Sequence, residues 1–161
     1  YLARKHGWIT DVGKLLDPLA DKMLLVSTFV PFYIISHRGG EAGLIPLWGM
    51  LPMWVLIVIL GREFLVTVFR QWAVGRDVVI AAGTSGKYKA FLQNLFSGGL
   101  LLWYPLQEFA AARGLDNLPY RAFVQFHAAW IGVTLLLALV LTIYSMLDYL
   151  WTYRSLMGFR N

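Results

Sequence analysis

Four long apolar segments dominate the chain and limit what it can fold into. They cover residues 15–36, 45–73, 90–112 and 123–153. Each reaches or exceeds the roughly 20 residues that a helix needs to cross a bilayer. The connections between them are short and polar, and no internal repeat is visible. The sequence therefore predicts an all-α, polytopic membrane bundle, with about four transmembrane helices in this chain.

The composition supports this class. Hydrophobic residues make up 58% of the chain and charged residues 14%, whereas ordinary soluble domains carry about 25% charged residues. We therefore expect residues 1–161 to form a single transmembrane domain without a separate soluble part, and we expect no nucleic-acid partner. The chain has no cysteine, which excludes disulfides and thiolate chemistry.

The basic residues predict an orientation. With the N-terminus in the cytoplasm, only Arg38, Arg113 and Arg121 fall on the outer side, and the other lysines and arginines lie on or towards the inner side. The positive-inside rule therefore places both ends of the chain in the cytoplasm. For any single exposed lysine or arginine, a role in membrane topology or in binding anionic lipid headgroups is about as good an explanation as a role in catalysis.

Two carboxylates stand where the first apolar segment begins. Asp17 and Asp21 are four residues apart, so on a helix they lie one above the other on the same face. This spacing lets them share a divalent cation, or lets one bind metal while the other accepts a proton. Ionised groups are costly at membrane depth, and the pair therefore indicates a functional site.

A second group of charges lies within the second apolar segment. Arg62, Glu63 and Arg70 interrupt it, and eight helical residues bring Arg62 and Arg70 to within about 80° of each other around a helix axis. We expect these side chains to face the bundle interior or its cytoplasmic mouth.

The next segment begins with TSGKYKAFLQ. Thr84 or Ser85 is a candidate N-cap, Gly86 follows, and Lys87 and Lys89 then stand beside a helix N-terminus. This combination suits an anion such as phosphate. The alternative is a capped helix whose lysines extend towards the membrane surface.

The N-terminal residues resemble the signature of the CDP-alcohol phosphotransferases. That signature reads Asp-x-x-Asp-Gly-x-x-Ala-Arg, eight residues, Gly, three residues, Asp, three residues, Asp. Ala3, Arg4, Gly13, Asp17 and Asp21 match it from the alanine onward with the same spacing. The Asp-x-x-Asp-Gly part would end just before Tyr1. The resemblance thus implies that the chain lacks this part and two preceding helices of an expected six.

Further similarity indicates a branch of this family. An Arg-Glu pair at residues 62–63, the run Gly-Lys-x-Lys at residues 86–89 and the closing VLTIYSMLDYL resemble the phosphatidylglycerophosphate synthase branch. The implied reaction transfers a phosphatidyl group from CDP-diacylglycerol to sn-glycerol 3-phosphate and releases CMP. Its implied setting is phospholipid synthesis in a bacterial inner membrane, with the active site facing the cytoplasm and a homodimer as the assembly. If half of the metal site is absent, this chain by itself is expected to be inactive.

The resemblance also implies roles for the matched residues. Asp17 corresponds to a ligand of Mg²⁺ or Mn²⁺, and Asp21 to the catalytic base that stays close to the metal. Ala3 and Gly13 correspond to small positions beside the nucleotide, and Arg4 to a basic position near the CDP group.

The acceptor site is implied by resemblance together with charge. Arg62, Lys87 and Lys89 are expected to bind the acceptor phosphate, with Arg70 as a further candidate. Two alternatives stay open. One is another acceptor within the family, either inositol phosphate or phosphatidylglycerol. The other is a membrane protein without enzymatic activity that binds ions or lipids through the aspartates.

Overall fold

The computed structural model describes residue 5, residues 10–76 and residues 84–154. For residues 11–19, 21, 84 and 85 it describes the backbone but not the side chains. Within the described residues the structure contains four α-helices, and a short 3₁₀ helix at Gly40–Gly43 follows the first of them. The α-helices are α1 (Asp11–Arg38), α2 (Met53–Val74), α3 (Thr84–Arg113) and α4 (Leu118–Thr152). The described part of the chain contains no strand beyond one isolated bridge. The all-α prediction is therefore confirmed at this level.

One predicted boundary was wrong. The second apolar segment was expected to begin at residue 45, but α2 begins at Met53. Leu47 and Gly49 have φ angles of 66° and 68°, which do not fit an α-helix. Ile45 and Gly49 instead exchange two backbone hydrogen bonds, each of 2.8 Å, and Pro52 precedes the helix in an extended conformation. Hydropathy alone did not separate this tight turn from the helix that follows it.

Long-range hydrogen bonds fix the turn to the helices. The indole Nε1 of Trp48 donates to the carbonyl of Gly132 in α4 at 3.1 Å. The backbone N–H of Leu51 donates to the Ser36 hydroxyl at 3.0 Å. This segment therefore ties α1 to α4 although it lacks regular structure.

The core consists of apolar stripes with helical spacing. Pairs of buried residues four apart recur on each helix, which places them on one face of that helix. The rings of Phe29 in α1 and Phe96 in α3 lie 5.5 Å apart, and Phe32 meets Phe96 edge to face at 6.1 Å. The stripes are Leu25, Phe29 and Phe32; Val55 and Ile59; Phe96 and Leu100; and Ile131, Leu135 and Leu139.

A short capped connection joins α3 to α4, which pack extensively against each other. Gly114 has a φ of 60° and reverses the chain, and the Asn117 side chain accepts a hydrogen bond of 3.0 Å from the Tyr120 N–H. Arg121 donates to both carboxylate oxygens of Asp116, at 2.6 and 2.5 Å, and this lowers the pKa of the Asp116 carboxyl from its usual value. The connection is therefore ordered by its own side chains.

Among the helices that the structure describes, only α4 is both long enough and apolar enough to cross a membrane. The 22 residues of α2 include Arg62, Glu63 and Arg70, which reduce its apolar character. The presence of four membrane spans therefore stays a prediction.

The substitution Ser36→Ala tests the anchoring of the turn. It removes the buried acceptor of the Leu51 N–H, and an unsatisfied buried donor costs about 1–3 kcal/mol. We expect the free energy of unfolding, measured by denaturant titration in detergent micelles, to fall by that amount. Ser27→Ala is the matched control, since the Ser27 hydroxyl is exposed and bonds only within its own helix. Equal changes in both variants would contradict the anchoring role of Ser36.

Candidate active site

A cavity of about 310 Å³ lies between the four helices. Leu24 and Leu25 of α1 form an apolar part of its wall, and α2, α3 and α4 supply polar and charged side chains. The cavity is thus a polar space next to the apolar core, because Leu25 also belongs to that core.

Cations dominate the charged lining of this cavity. The structure brings together Arg62, Arg70, Lys87 and Lys89, the four residues that the sequence predicted to bind the acceptor phosphate. Two carboxylates, Glu63 and Asp148, line the same cavity. Among the described side chains, four cations therefore face two carboxylates, which gives this part of the lining a positive charge.

Glu63 links two of these cations. The Arg62 Nη1 donates to Glu63 Oε1 at 2.9 Å, and the Lys89 ammonium forms an ion pair with the same oxygen. The side chains of Arg62, Lys89 and Glu63 are 10%, 3% and 17% exposed, respectively. Glu63 is thus paired with one cation of its own helix and with one cation of the next helix. The resulting ion cluster connects α2 to α3.

The first turn of α3 also borders the cavity. Gly86 lines it, and a Cβ atom at this position would lie 3.8 Å from Arg62 Nη2. The first backbone N–H groups of a helix have no partner within the helix, and they favour anions. The helix start therefore adds to the positive character that Arg62 and the lysines give the cavity.

Four further polar residues line the cavity, and the sequence interpretation did not assign them to the site: Gln93, Asn94, Ser145 and Tyr149. Gln93 is fully buried one helical turn after Lys89, and Ser145 and Tyr149 of α4 are one turn apart. The position of Gln93 on the same helix face as Lys89 was a usable signal. Nothing in the sequence distinguished Ser145 and Tyr149 from other residues of a long apolar helix.

The predicted metal and nucleotide residues belong to the N-terminal part of the chain. Ala3 and Arg4 lie outside the described residues, and of Gly13, Asp17 and Asp21 the structure describes only the backbone. That backbone is helical, so the two aspartate positions are one turn apart, as the spacing predicted. Leu25, four residues after Asp21, lines the cavity. The backbone of Asp21 therefore lies about one helical turn from the cavity-lining Leu25.

The donor set fits a hard divalent cation. Two carboxylates one turn apart on a helix are oxygen ligands of the kind that Mg²⁺ and Mn²⁺ prefer. Among the side chains that the structure describes, no group of three His, Cys, Asp or Glu residues forms a metal site. The metal prediction therefore depends on Asp17 and Asp21.

Comparison with known proteins identifies the family. The family model of the CDP-alcohol phosphatidyltransferases matches residues 1–151. The chain belongs to this family.

Curated relatives carry a more specific name. Three proteins named CDP-diacylglycerol–glycerol-3-phosphate 3-phosphatidyltransferase are similar to this chain. The Haemophilus influenzae protein is 32% identical over 93% of this chain and 66% of its own length. The Bacillus subtilis protein is 36% identical over 63% of this chain and 46% of its own length. The Rickettsia bellii protein is 34% identical over 58% of this chain and 44% of its own length.

The matched region thus spans between 44% and 66% of the length of these relatives. No solved structure matches the chain significantly.

The substitution Glu63→Ala tests the ion cluster. It leaves Arg62 and Lys89 buried without their shared carboxylate, and breaking a buried pair typically costs about 3–5 kcal/mol. We expect the free energy of unfolding in detergent micelles to fall by that amount. Glu41→Ala is the control, because Glu41 is exposed on the 3₁₀ helix, where substitutions usually change stability by about 0.5 kcal/mol or less. A loss no larger than that of the control would show that Glu63 does not hold the cluster together.

Proposed function

We propose that this protein is an integral membrane enzyme that transfers the phosphatidyl group of CDP-diacylglycerol to sn-glycerol 3-phosphate, giving phosphatidylglycerophosphate and CMP. The observation that carries the proposal is the gathering of Arg62, Arg70, Lys87 and Lys89 around one cavity in a CDP-alcohol phosphatidyltransferase. The names of the similar proteins support the same acceptor.

The charge of the cavity favours a phosphorylated acceptor. A phosphate monoester carries a charge of about −1.5 to −2 at pH 7, which complements the excess of two cations among the described side chains of the lining. Acceptors without a phosphate, such as the cationic alcohols choline and ethanolamine, would leave these cations without an anionic partner and would add repulsion between like charges. The cavity charge therefore discriminates among acceptors as well as attracting the preferred one.

The size of the cavity favours a small acceptor. Its volume of about 310 Å³ is at the lower end of the roughly 300–1,000 Å³ of typical ligand pockets. Glycerol phosphate suits this space better than a second phospholipid such as phosphatidylglycerol. Inositol phosphate stays an alternative, because the same cations would bind its phosphate.

The other substrate would bind at the N-terminal end of α1. Arg4 would contact the CDP group, and the small residues Ala3 and Gly13 would allow the nucleotide to approach the backbone. Asp17 and Asp21 would hold Mg²⁺ or Mn²⁺. When bound, the cation neutralises charge on the pyrophosphate oxygens and on the departing CMP.

The reaction needs no covalent intermediate with the protein. The 1-hydroxyl oxygen of glycerol 3-phosphate forms a bond to the phosphorus that carries diacylglycerol, while the bond from that phosphorus to the CMP oxygen breaks. Asp21 accepts the hydroxyl proton. Arg62, Lys87 and Lys89 bind the acceptor phosphate and thereby orient its hydroxyl towards α1, which reduces the entropic cost of the reaction.

The outward faces of the helices support a membrane location. Ile57 and Phe64 of α2, Phe91 of α3 and Leu147 of α4 are 59–67% exposed. Large exposed apolar surfaces indicate contact with lipid or with another protein. We infer four membrane spans, a cytoplasmic active site in a bacterial inner membrane, and a homodimer.

Asp21→Asn tests the catalytic base. We expect CMP release from CDP-diacylglycerol and glycerol 3-phosphate, measured with the full-length protein in mixed micelles containing Mg²⁺ or Mn²⁺, to fall by about 10² to 10⁴, the usual contribution of general base catalysis. Asp116→Asn in the α3–α4 connection is the control and should retain wild-type turnover. Retained turnover in the Asp21 variant would contradict its role.

Asp17→Asn separates enzymatic from non-enzymatic function. The variant should lose metal-dependent CMP release while still binding lipid. If the wild-type protein binds metal and lipid but releases no CMP with any acceptor, a binding protein without enzymatic activity is the better account.

Lys87→Ala tests the acceptor site. Loss of one charge-assisted contact should raise the KM for glycerol 3-phosphate by about 10-fold and leave the KM for CDP-diacylglycerol unchanged. Arg113→Ala is the matched control, since Arg113 lies at the other end of α3, about 39 Å along the helix axis. An equal rise in both KM values in the Lys87 variant would contradict the assignment.

A further inference from the structure

The side chain of Gln93 is a buried polar group of the cavity whose two polar atoms both lack a hydrogen-bond partner among the described residues. Gln93 is 0% exposed, and it lines the cavity together with Lys89 and Arg62. Neither its carbonyl Oε1 nor its amide Nε2 has a hydrogen-bond partner among the described residues. Buried polar groups are nearly always satisfied, and leaving one unpaired costs about 1–3 kcal/mol. A partner that enters the cavity is therefore expected.

Its surroundings limit where that partner lies. On the same face of α3, Lys89 precedes Gln93 by one turn, and the next buried side chains are Phe96, Ser97 and Leu100. Phe96 packs against Phe29, and Ser97 makes no hydrogen bond with Gln93. The apolar neighbours offer neither donors nor acceptors. Gln93 thus lies at the boundary between the charged part of the cavity and the apolar core, and the cavity provides room for a polar partner.

The chemistry of the side chain indicates what that partner is. A carboxamide is neutral and offers both a donor and an acceptor, which matches a hydroxyl group, itself a donor and an acceptor. The phosphate charge is already balanced by the neighbouring cations. A neutral group beside a cationic phosphate site is therefore suited to the uncharged part of a small phosphorylated alcohol.

We propose that Gln93 is a specificity-determining residue that binds the hydroxyl of the acceptor adjacent to the reacting one, which in glycerol 3-phosphate is the C2 hydroxyl. This inference rests on the proposed function and names how the site recognises the carbon skeleton of its acceptor. A site built to hydrogen-bond a hydroxyl rejects an analogue that lacks it, because its own buried polar groups are then left unpaired.

The test compares two acceptors in two proteins. The second acceptor is 3-hydroxypropyl phosphate, which keeps the primary hydroxyl and the phosphate but lacks the C2 hydroxyl. The kcat/KM for each acceptor is measured by CMP release with the full-length protein, as wild type and as Gln93→Met, a substitution of similar volume without the amide. Gln107→Met is the matched control, since Gln107 lies on the same helix but does not line this cavity.

We expect the wild type and the Gln107 variant to prefer glycerol 3-phosphate by at least 10-fold. In Gln93→Met this ratio should approach 1, through a lower kcat/KM for glycerol 3-phosphate, with turnover of 3-hydroxypropyl phosphate and the KM for CDP-diacylglycerol unchanged. Gln93→Asn, which keeps a shorter carboxamide, should give an intermediate ratio. Retained turnover of the deoxy acceptor also shows that the variant is folded.

Other outcomes overturn the inference in distinguishable ways. If Gln93→Met lowers kcat/KM equally for both acceptors, or raises the KM for CDP-diacylglycerol instead, Gln93 does not read the acceptor hydroxyl. A wild type that uses both acceptors equally well overturns the role of Gln93 but leaves the proposed function intact. A wild type that uses neither acceptor overturns the proposed function together with the inference.

Discussion

The shared ion pair of Glu63 is the interaction on which the candidate site depends. One carboxylate oxygen holds Arg62 from its own helix and Lys89 from the next, with all three side chains largely removed from solvent. A buried charge is costly unless it is paired. The pair therefore fixes the start of α3 against α2, and it holds two cations at the cavity in a defined position. Arg70 and Lys87 complete the positive lining without sharing this carboxylate.

The apolar core next to the cavity stabilises this arrangement. Phe29, Phe32 and Phe96 pack together between α1 and α3, and the turn at residues 45–52 joins α1 to α4 through Ser36 and Gly132. The long α3 and α4 form the largest helix pair. Together these contacts hold the four described helices around the cavity. The same helix α1 carries Asp17 and Asp21 and, one turn later, the cavity-lining Leu24 and Leu25.

The sequence predicted the helical class. Arg62 and Arg70 were conspicuous because charges within apolar segments are rare, whereas Lys87 and Lys89 were predicted from a helix start together with the family resemblance. It did not predict the turn at 45–52, because Ile45, Leu47 and Leu51 are as apolar as a helix would be. It also did not assign Gln93, Ser145 or Tyr149 to the site, since the polarity of one residue does not reveal which neighbouring helix it meets. The partner of Glu63 depends on the rotation of α3 relative to α2, which only the structure shows. The roles of Ala3, Arg4, Gly13, Asp17 and Asp21 stay predictions that rest on the spacing of the motif.

In the proposed function, the cavity selects a phosphorylated acceptor by its charge. The most direct measurement compares CMP release from CDP-diacylglycerol with glycerol 3-phosphate and with glycerol, at equal concentrations and low ionic strength, with the full-length protein in mixed micelles. The account predicts a preference of about 100-fold or more for the phosphorylated acceptor, the equivalent of one or two charge-assisted hydrogen bonds. Equal rates with glycerol and glycerol 3-phosphate would contradict it.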